Sequence, residues 1–199
     1  MRKRHEPALD RRAAAAAILR ARGEALVVAG LGAPCWDTAA AGDHALNFYA
    51  WGGMGGAAMI GLGLALAQPR RRVLVITGDG EILMGLGSLA TIGVQRPPNL
   101  ALVVMDNEHY GETGMQQTHT RFGVDLAGVA RSTGFRAAET VSSRAQLAAW
   151  APRLHRQPGP LFLCVKVRAE RLPMVLPARE GPLLKHRFRQ ALLGERASE

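Results

Sequence analysis

The sequence predicts one α/β domain of three layers, with helices covering both faces of a mainly parallel sheet. Three observations carry that expectation. Val73–Thr77 and the apolar part of Asn99–Met105 are short runs of the kind that form strands buried on both faces. Segments with helical spacing of apolar residues alternate with such runs along the chain, as repeated βαβ units require. With 199 residues and 48% hydrophobic composition, the chain can bury one core of ordinary size and is short for two.

Taken in order, residues 1–22 form a basic N-terminal helix, its regular part running from about Ala8 to Arg22, where the alanine run favours helix. A strand follows at Ala25–Ala29, and Gly30–Pro34 loops into a short helix. A strand near Leu46–Ala50 leads into a glycine cluster, and Met54–Ala67 reads as a helix of small residues that packs closely on a sheet. The strand Val73–Thr77, a helix from about Ile82 to Gly93 and the strand Asn99–Met105 complete the middle of the domain. Helices at Asp125–Ser132 and Ser143–His155 alternate with strands at Gly134–Ala138 and Pro160–Val167. The core thus spans about residues 23–167. Beyond it, prolines at 173, 177 and 182 suggest an arm, 168–199, that crosses the surface and ends in a basic amphipathic helix near Leu183–Leu193.

The net charge of +9 is uneven: residues 1–22 carry +5 and residues 168–199 carry +3, which leaves the centre almost neutral. A nucleic-acid binder would place a basic stripe with interleaved aromatics on the folded body, and aromatics are only 5% here, so no nucleic-acid partner is expected. The most apolar stretch, Ala57–Ala67, is far shorter than the ~20 residues a membrane helix needs, and the N-terminus has no apolar signal core. Cys35 and Cys164 lie far apart without metal-ligand spacing and read as buried thiols in a cytoplasmic protein.

The chemistry-bearing stretch is Gly78–Asn107. Asp79 stands between two glycines at the end of one buried strand, and Asp106-Asn107 end the next. Glycine on both sides lets backbone approach a bulky anion, and the following helix aims N-terminal amides at the same place. Open α/β sheets bind ligands at such carboxyl ends. Asp79 and Asn107 offer one charged and one neutral oxygen, a set that suits Mg²⁺ shared with a phosphate.

With Gly78-Asp79-Gly80, a spacer of 26 residues and Asn107, the chain resembles the thiamine diphosphate (ThDP)-dependent decarboxylases, whose motif is GDG, a spacer and NN. Asp106 replaces the first Asn, the less critical of the pair. The text around it, WGGMGGAAMIGLGLALAQPRRRVLVITGDGEILMGLGSLATIG and DNEHYGETGMQ, is similar to sulfopyruvate decarboxylase β subunits and to the matching domain of phosphonopyruvate decarboxylase, over roughly Leu26–Val167.

The resemblance implies that Asp79, Asn107 and the carbonyl of His109 hold Mg²⁺. It implies that the backbone at Gly78, Gly80, Glu81, Tyr110 and Gly111 cradles the diphosphate. Met54 would prop the cofactor in its bent form, and the carbonyl of Gly52 would accept from the pyrimidine amino group. His119 is a candidate proton donor near the thiazolium, though a histidine in a polar segment is as readily solvated. Glu81 also reads as the favourable acid of a helix first turn, while Asp37 and Asp43 have no assigned role.

The substrate implied is a small anionic 2-oxo acid, decarboxylated to an aldehyde. The glutamate that activates ThDP belongs, in the family, to a separate pyrimidine-binding domain for which this chain has no room. A separate α subunit bearing that glutamate is therefore expected, in an α₂β₂ or larger assembly, with little activity from this chain alone.

Two alternatives stay open. A ThDP enzyme with another fate for the substrate, a carboligase or oxidoreductase, would share every residue above. Gly53–Ala58 after a strand, with Asp79 further on, also has the layout of a dinucleotide fingerprint and would suit a non-catalytic binding or regulatory module.

Overall fold

The structure, a computed structural model, describes residues 9–198, so the part of the N-terminal helix expected over residues 1–8 lies outside the described residues. In chain order the elements are α1 (Arg11–Leu19), β1 (Leu26–Ala29), α2 (Ala33–Ala40), β2 (Asn47–Tyr49), α3 (Ala57–Ala67), β3 (Val73–Gly78), α4 (Asp79–Met84), α5 (Gly87–Gln95) and β4 (Leu100–Asp106). They continue with a two-strand ribbon, β5 (His109–Tyr110) and β6 (Gln116–Gln117), then α6 (Leu126–Ser132), β7 (Ala137–Val141), α7 (Arg144–Arg156), β8 (Leu161–Lys166) and α8 (Gly181–Leu193).

Six strands form one sheet in the order β2-β1-β3-β4-β8-β7, parallel throughout. All seven residues of β4 are buried, which is why that run carries no polar alternation until Asp106. Successive residues face opposite layers. Val73 and Val75 of β3, with Leu100, Leu102 and Val104 of β4, pack under α3, α5 and α6. Leu74, Ile76, Ala101 and Val103 pack under α1 and α7. Burial of side chains of this size stabilises by about 1.5–3 kcal/mol each, and truncating Leu102 to Ala would cost about 2–5 kcal/mol.

The small-residue pattern of α3 is explained by that packing. Gly61 faces Val75 so closely that a β-carbon there would overlap the valine methyl. The helix starts at Ala57, three residues later than expected, because Gly55 holds φ +86°, a left-handed conformation that ends the loop before the first helical turn.

The expected helix Ile82–Gly93 is two helices. α4 begins at Asp79 and stops at Met84, and α5 begins at Gly87. The break has a tertiary cause: the backbone of Gly55 passes so close to Gly85 that no side chain fits between them. The strand expected at Gly134–Ala138 runs instead over Ala137–Val141, because Gly134 adopts φ +97° in the turn that follows α6. The remaining elements lie within a few residues of expectation.

Asp10 caps α1, accepting from the amide of Ala13 at 2.6 Å. The helix is no mere surface element, since Ala14, Ala15, Ile18 and Leu19 are buried. Arg11 donates to Asp37, which is wholly buried in α2, so the acid without an assigned role is the partner of a buried arginine. Residues 168–180 form no helix or strand, and Pro182 falls in the first turn of α8, where its missing amide costs nothing. Arg12 donates to the carbonyl of Pro173 at 2.7 Å, and the Trp51 indole donates to that of Ala178 at 3.1 Å. Cys35 and Cys164 are free and buried.

Candidate functional site

Strand order reverses between β1 and β3: from β1 the chain adds β2 on one side and β3 on the other. Such a switch leaves a crevice beyond the strand ends, where ligands bind in open α/β sheets. Gly30 ends β1, Asp79 follows β3, and Asp106-Asn107 end β4, so the crevice receives every chemistry-bearing strand end.

Asp79 is 2% exposed. Its Oδ2 accepts from Thr118 Oγ1 at 2.5 Å and from Thr120 Oγ1 at 3.2 Å, and Thr120 also reaches Asp106 Oδ1 at 2.9 Å. Burial, and then the neighbouring charge of Asp106, raise Asp79 to about 6, against the opposing pull of the two hydroxyls. Neither contact brings a positive charge, so ionised Asp79 is a buried anion with no ion-pair partner among the described residues.

Asp106 is different. Lys166 Nζ lies 2.7 Å from its Oδ2 and 2.9 Å from Glu108. Burial lowers the Lys166 pKa, but Asp106 and Glu108 outweigh it and the net shift is upward. The acid that stands in place of the first Asn of the motif thus has its own ammonium.

After β4 the chain turns on two side-chain-to-backbone bonds in succession: Asp106 Oδ1 accepts from the amide of Glu108 at 3.0 Å, and Asn107 Oδ1 from that of His109 at 2.9 Å. Glu108 is held at φ 63° within this turn. The turn feeds the ribbon β5–β6 and then a 3₁₀ turn, His119–Phe122, which carries the two threonines back to Asp79. Tyr110 folds its ring over Gly80, where a β-carbon would lie 2.5 Å from the ring edge. Only glycine leaves room for the ring there.

The crevice is a cavity of about 600 Å³. Nine of the eleven expected site residues line it: Met54 from the glycine loop, Gly78, Asp79, Gly80 and Glu81 from the β3–α4 turn, and Asn107, His109, Tyr110 and Gly111 from the turn after β4. Gly52 and His119 do not; His119 is exposed, while the residues either side of it point inward. The arm adds Arg171, which lines the same cavity and has no place among the expected site residues. Sequence reasoning also missed Thr118 and Thr120, because a polar run such as 116–120 reads as solvated loop. Among the described residues no cluster of three or more His, Cys, Asp or Glu is placed to hold a metal, which leaves the mixed set of one carboxylate with neutral oxygens as the candidate.

Residues 31–165 match the family described as "Thiamine pyrophosphate enzyme, C-terminal TPP binding domain". The chain belongs to this family. Two curated relatives locate it further. The sulfopyruvate decarboxylase subunit beta of Methanocaldococcus jannaschii is 47% identical over 109 residues, 55% of this chain and 57% of the relative. Phosphonopyruvate decarboxylase of Streptomyces viridochromogenes is 40% identical over 141 residues, 68% of this chain and 35% of the relative. The fold is that of a thiamine diphosphate-dependent 4-hydroxybenzoylformate decarboxylase from Rhodococcus jostii RHA1, with TM-score 0.67 and 17% identity, covering 84% of this chain and 34% of the other.

As a TPP-binding domain the chain keeps its glycine loop off the dinucleotide plan. In a dinucleotide fold the strand before the glycines neighbours the strand that ends in the acid. Here β1 lies between β2 and β3, and Asp79 is buried against threonines, not turned out toward a ribose. Among the described residues no helix is long and apolar enough to cross a membrane.

Proposed function

We propose that the chain is the β subunit of a ThDP- and Mg²⁺-dependent 2-oxo-acid decarboxylase of the sulfopyruvate or phosphonopyruvate type. It would supply the diphosphate and Mg²⁺ site and work with a separate pyrimidine-binding α subunit that brings the catalytic glutamate, in an α₂β₂ or larger cytoplasmic assembly. The observation that carries the proposal is Asp79: an acid 2% exposed, raised to about 6, at the strand end where the family binds its cofactor, with hydroxyls as neighbours and no ion-pair partner among the described residues. A divalent cation at that carboxylate offsets the cost of burying it.

The residues present suit both groups. Asp79 and Asn107 through their side chains, and His109 through its backbone carbonyl, offer oxygen donors for Mg²⁺, and the backbone at Gly78, Gly80, Glu81, Tyr110 and Gly111 suits a diphosphate. When bound, ThDP supplies the electron sink that lets a 2-oxo acid lose CO₂. Met54, with the carbonyl of Gly52 beside it, would hold the cofactor in register. Met54 and Met174 line the cavity yet are 39% and 62% exposed, which suits a second subunit closing over the opening. Arg171 gives the cavity a cation for an anionic substrate tail.

The test is affinity capture of the chain from its native cell, with mass spectrometry of what co-elutes and a fluorescence assay for ThDP. A stoichiometric partner of comparable size, bound ThDP, and aldehyde formed from a 2-oxo acid are the expected results. Asp79→Ala should abolish Mg²⁺-dependent ThDP binding in that complex; unchanged turnover would sink the metal assignment. The acetolactate synthase isozyme 1 large subunit of Escherichia coli is 28% identical over 138 residues, 63% of this chain and 24% of the relative. A hydroxyketone product in place of an aldehyde would accordingly move the assignment to a carboligase.

A further inference from the structure

The cavity beside Asp79 lies at the carboxyl ends of the strands, and at their amino ends the chain is basic. The turns that enter β1, β3, β4, β7 and β8 each carry an exposed arginine: Arg20, Arg70, Arg96, Arg136 and Arg156. Those five strands are contiguous in the sheet. Neighbouring strands lie ~4.8 Å apart, so the five turns span about 19 Å. Arg196, in the 3₁₀ turn Gly194–Ser198, lines a cavity together with Arg70 and is also exposed.

None of these six guanidinium groups has an ion pair or a side-chain hydrogen bond among the described residues. The acids nearby in sequence are Glu24, 3.7 Å from Arg71, and Glu195. An arginine at a helix C-terminus complements the helix dipole, which accounts for Arg20, Arg96 and Arg156 one at a time. It does not account for six cations gathered at one end of the sheet, where their mutual repulsion costs stability.

The face that carries them is held rigidly. Arg72 donates to the carbonyls of Leu154 at 2.6 Å and Gln157 at 3.0 Å, which ties the entry of β3 to the end of α7. The Asn99 amide nitrogen lies within 3.0 Å of the carbonyls of Ala65, Gln68 and Arg71, and so fixes the turn that presents Arg70. Arg70, Arg71 and Arg196 line a cavity of about 490 Å³, and Leu192 and Leu193 give it an apolar wall. The buried Nε of Arg71 has no acceptor among the described residues.

We propose that this face docks an acidic polypeptide segment of another protein, with carboxylates along the arginine row and an aliphatic side chain in the cavity. Guanidinium forks bind carboxylates by two parallel hydrogen bonds. The wall of Leu192 and Leu193 suits an aliphatic group, which a polyphosphate lacks. Nucleic acid would want aromatic rings for its bases, and the exposed ring, Phe122, lies in the turn beside Asp79 at the other end. An extended chain rises ~3.3 Å per residue, so about six residues cover the row. The proposal is independent of the ThDP reading, and its partner is distinct from the α subunit that would close over the Asp79 cavity.

Fluorescence anisotropy of the full chain with a labelled peptide of glutamates around one central leucine tests the face. Saturable binding is expected, weakening about tenfold between about 50 and about 200 mM salt as exposed charges are screened. Changing Arg70, Arg96 and Arg156 together to Glu should weaken binding at least about tenfold, while Arg179→Glu on the arm should stay within about twofold. The same three positions changed to Gln, which removes charge without reversing it, should show an intermediate loss and a melting temperature no lower than wild type. No binding, equal binding by the Glu variant, or a lower melting temperature in the Gln variant would overturn the surface. Tighter binding of duplex DNA or polyphosphate of equal charge would overturn the partner class, and equal binding of a peptide without leucine would remove the cavity from it.

Discussion

Two carboxylates end adjacent strands of the same sheet and meet opposite fates. Asp106, at the end of β4, has Lys166 at 2.7 Å and the Glu108 amide at 3.0 Å. Asp79, at the end of β3, has two hydroxyls and, among the described residues, no ion-pair partner. Both are buried, so the difference is one of compensation and not of solvent access. An acid whose counter-ion is built into the protein serves structure. An acid left without one marks where an external cation belongs.

The comparison breaks first under exchange of each acid for its amide. Asp79→Asn should weaken Mg²⁺-dependent ThDP binding in the complex by about a hundredfold or more, since the charge lost faces the cation. Asp106→Asn should leave it within about threefold. Equal losses would put both acids on the metal and end the distinction.

A second experiment removes the built-in counter-ion. Lys166→Met leaves Asp106 buried and unpaired; for a fully buried pair that costs about 3–5 kcal/mol, and the 23% exposure of the Lys166 side chain reduces the expectation to about 2–3 kcal/mol. Adding Asp106→Asn should restore most of the lost stability in urea unfolding. A double variant no more stable than Lys166→Met would show that the lysine acts elsewhere.

The hydroxyls come third. Thr118→Val removes the 2.5 Å bond to Asp79 and should weaken Mg²⁺ binding by about 1.5–2 kcal/mol, the scale of a hydrogen bond to a charged group. Thr120 divides its single proton between Asp79 and Asp106, so Thr120→Val should cost less than Thr118→Val.

The most gradual is the response to pH. Asp79 titrates at about 6 in the folded chain, against about 3.9 unfolded. The folded state therefore holds this proton more tightly. Without a cation, the contribution of Asp79 to stability is greatest below about pH 4, declines as pH rises through about 4–6, and is flat above. At the proposed metal site Mg²⁺ would compete with the same proton. Affinity should be level above about pH 6.5 and fall by up to about tenfold for each unit below 6. A titration with no pH dependence in that range would remove Asp79 from the metal.

What was legible in the sequence divides along a physical line. The buried strands, the Gly-Asp-Gly turn and the Asp-Asn end of β4 depend on local composition, and they lie where the residues indicate. The break between α4 and α5 was not legible, because Gly85 is forced by the backbone of Gly55, 30 positions earlier. The inward turn of Thr118 and Thr120 was hidden for the same reason: a polar loop looks solvated until the acid it covers is known. Asp37 was silent until Arg11, 26 positions away, was placed beside it. Side chains with distant partners are the ones a linear reading misses.

The ties between the first helix and the arm bear on how the chain completes itself during synthesis. Arg12 donates to the carbonyl of Pro173, 161 positions later, and Leu9 bridges Val167 alongside β8. At about 5–20 residues per second, α1 emerges from the ribosome roughly 8 to 30 s before its acceptor on the arm exists. Throughout that interval the apolar face of Ala14, Ile18 and Leu19 can already pack on the strands β1, β3 and β4, so the arm arrives as a late tie on a helix seated before it.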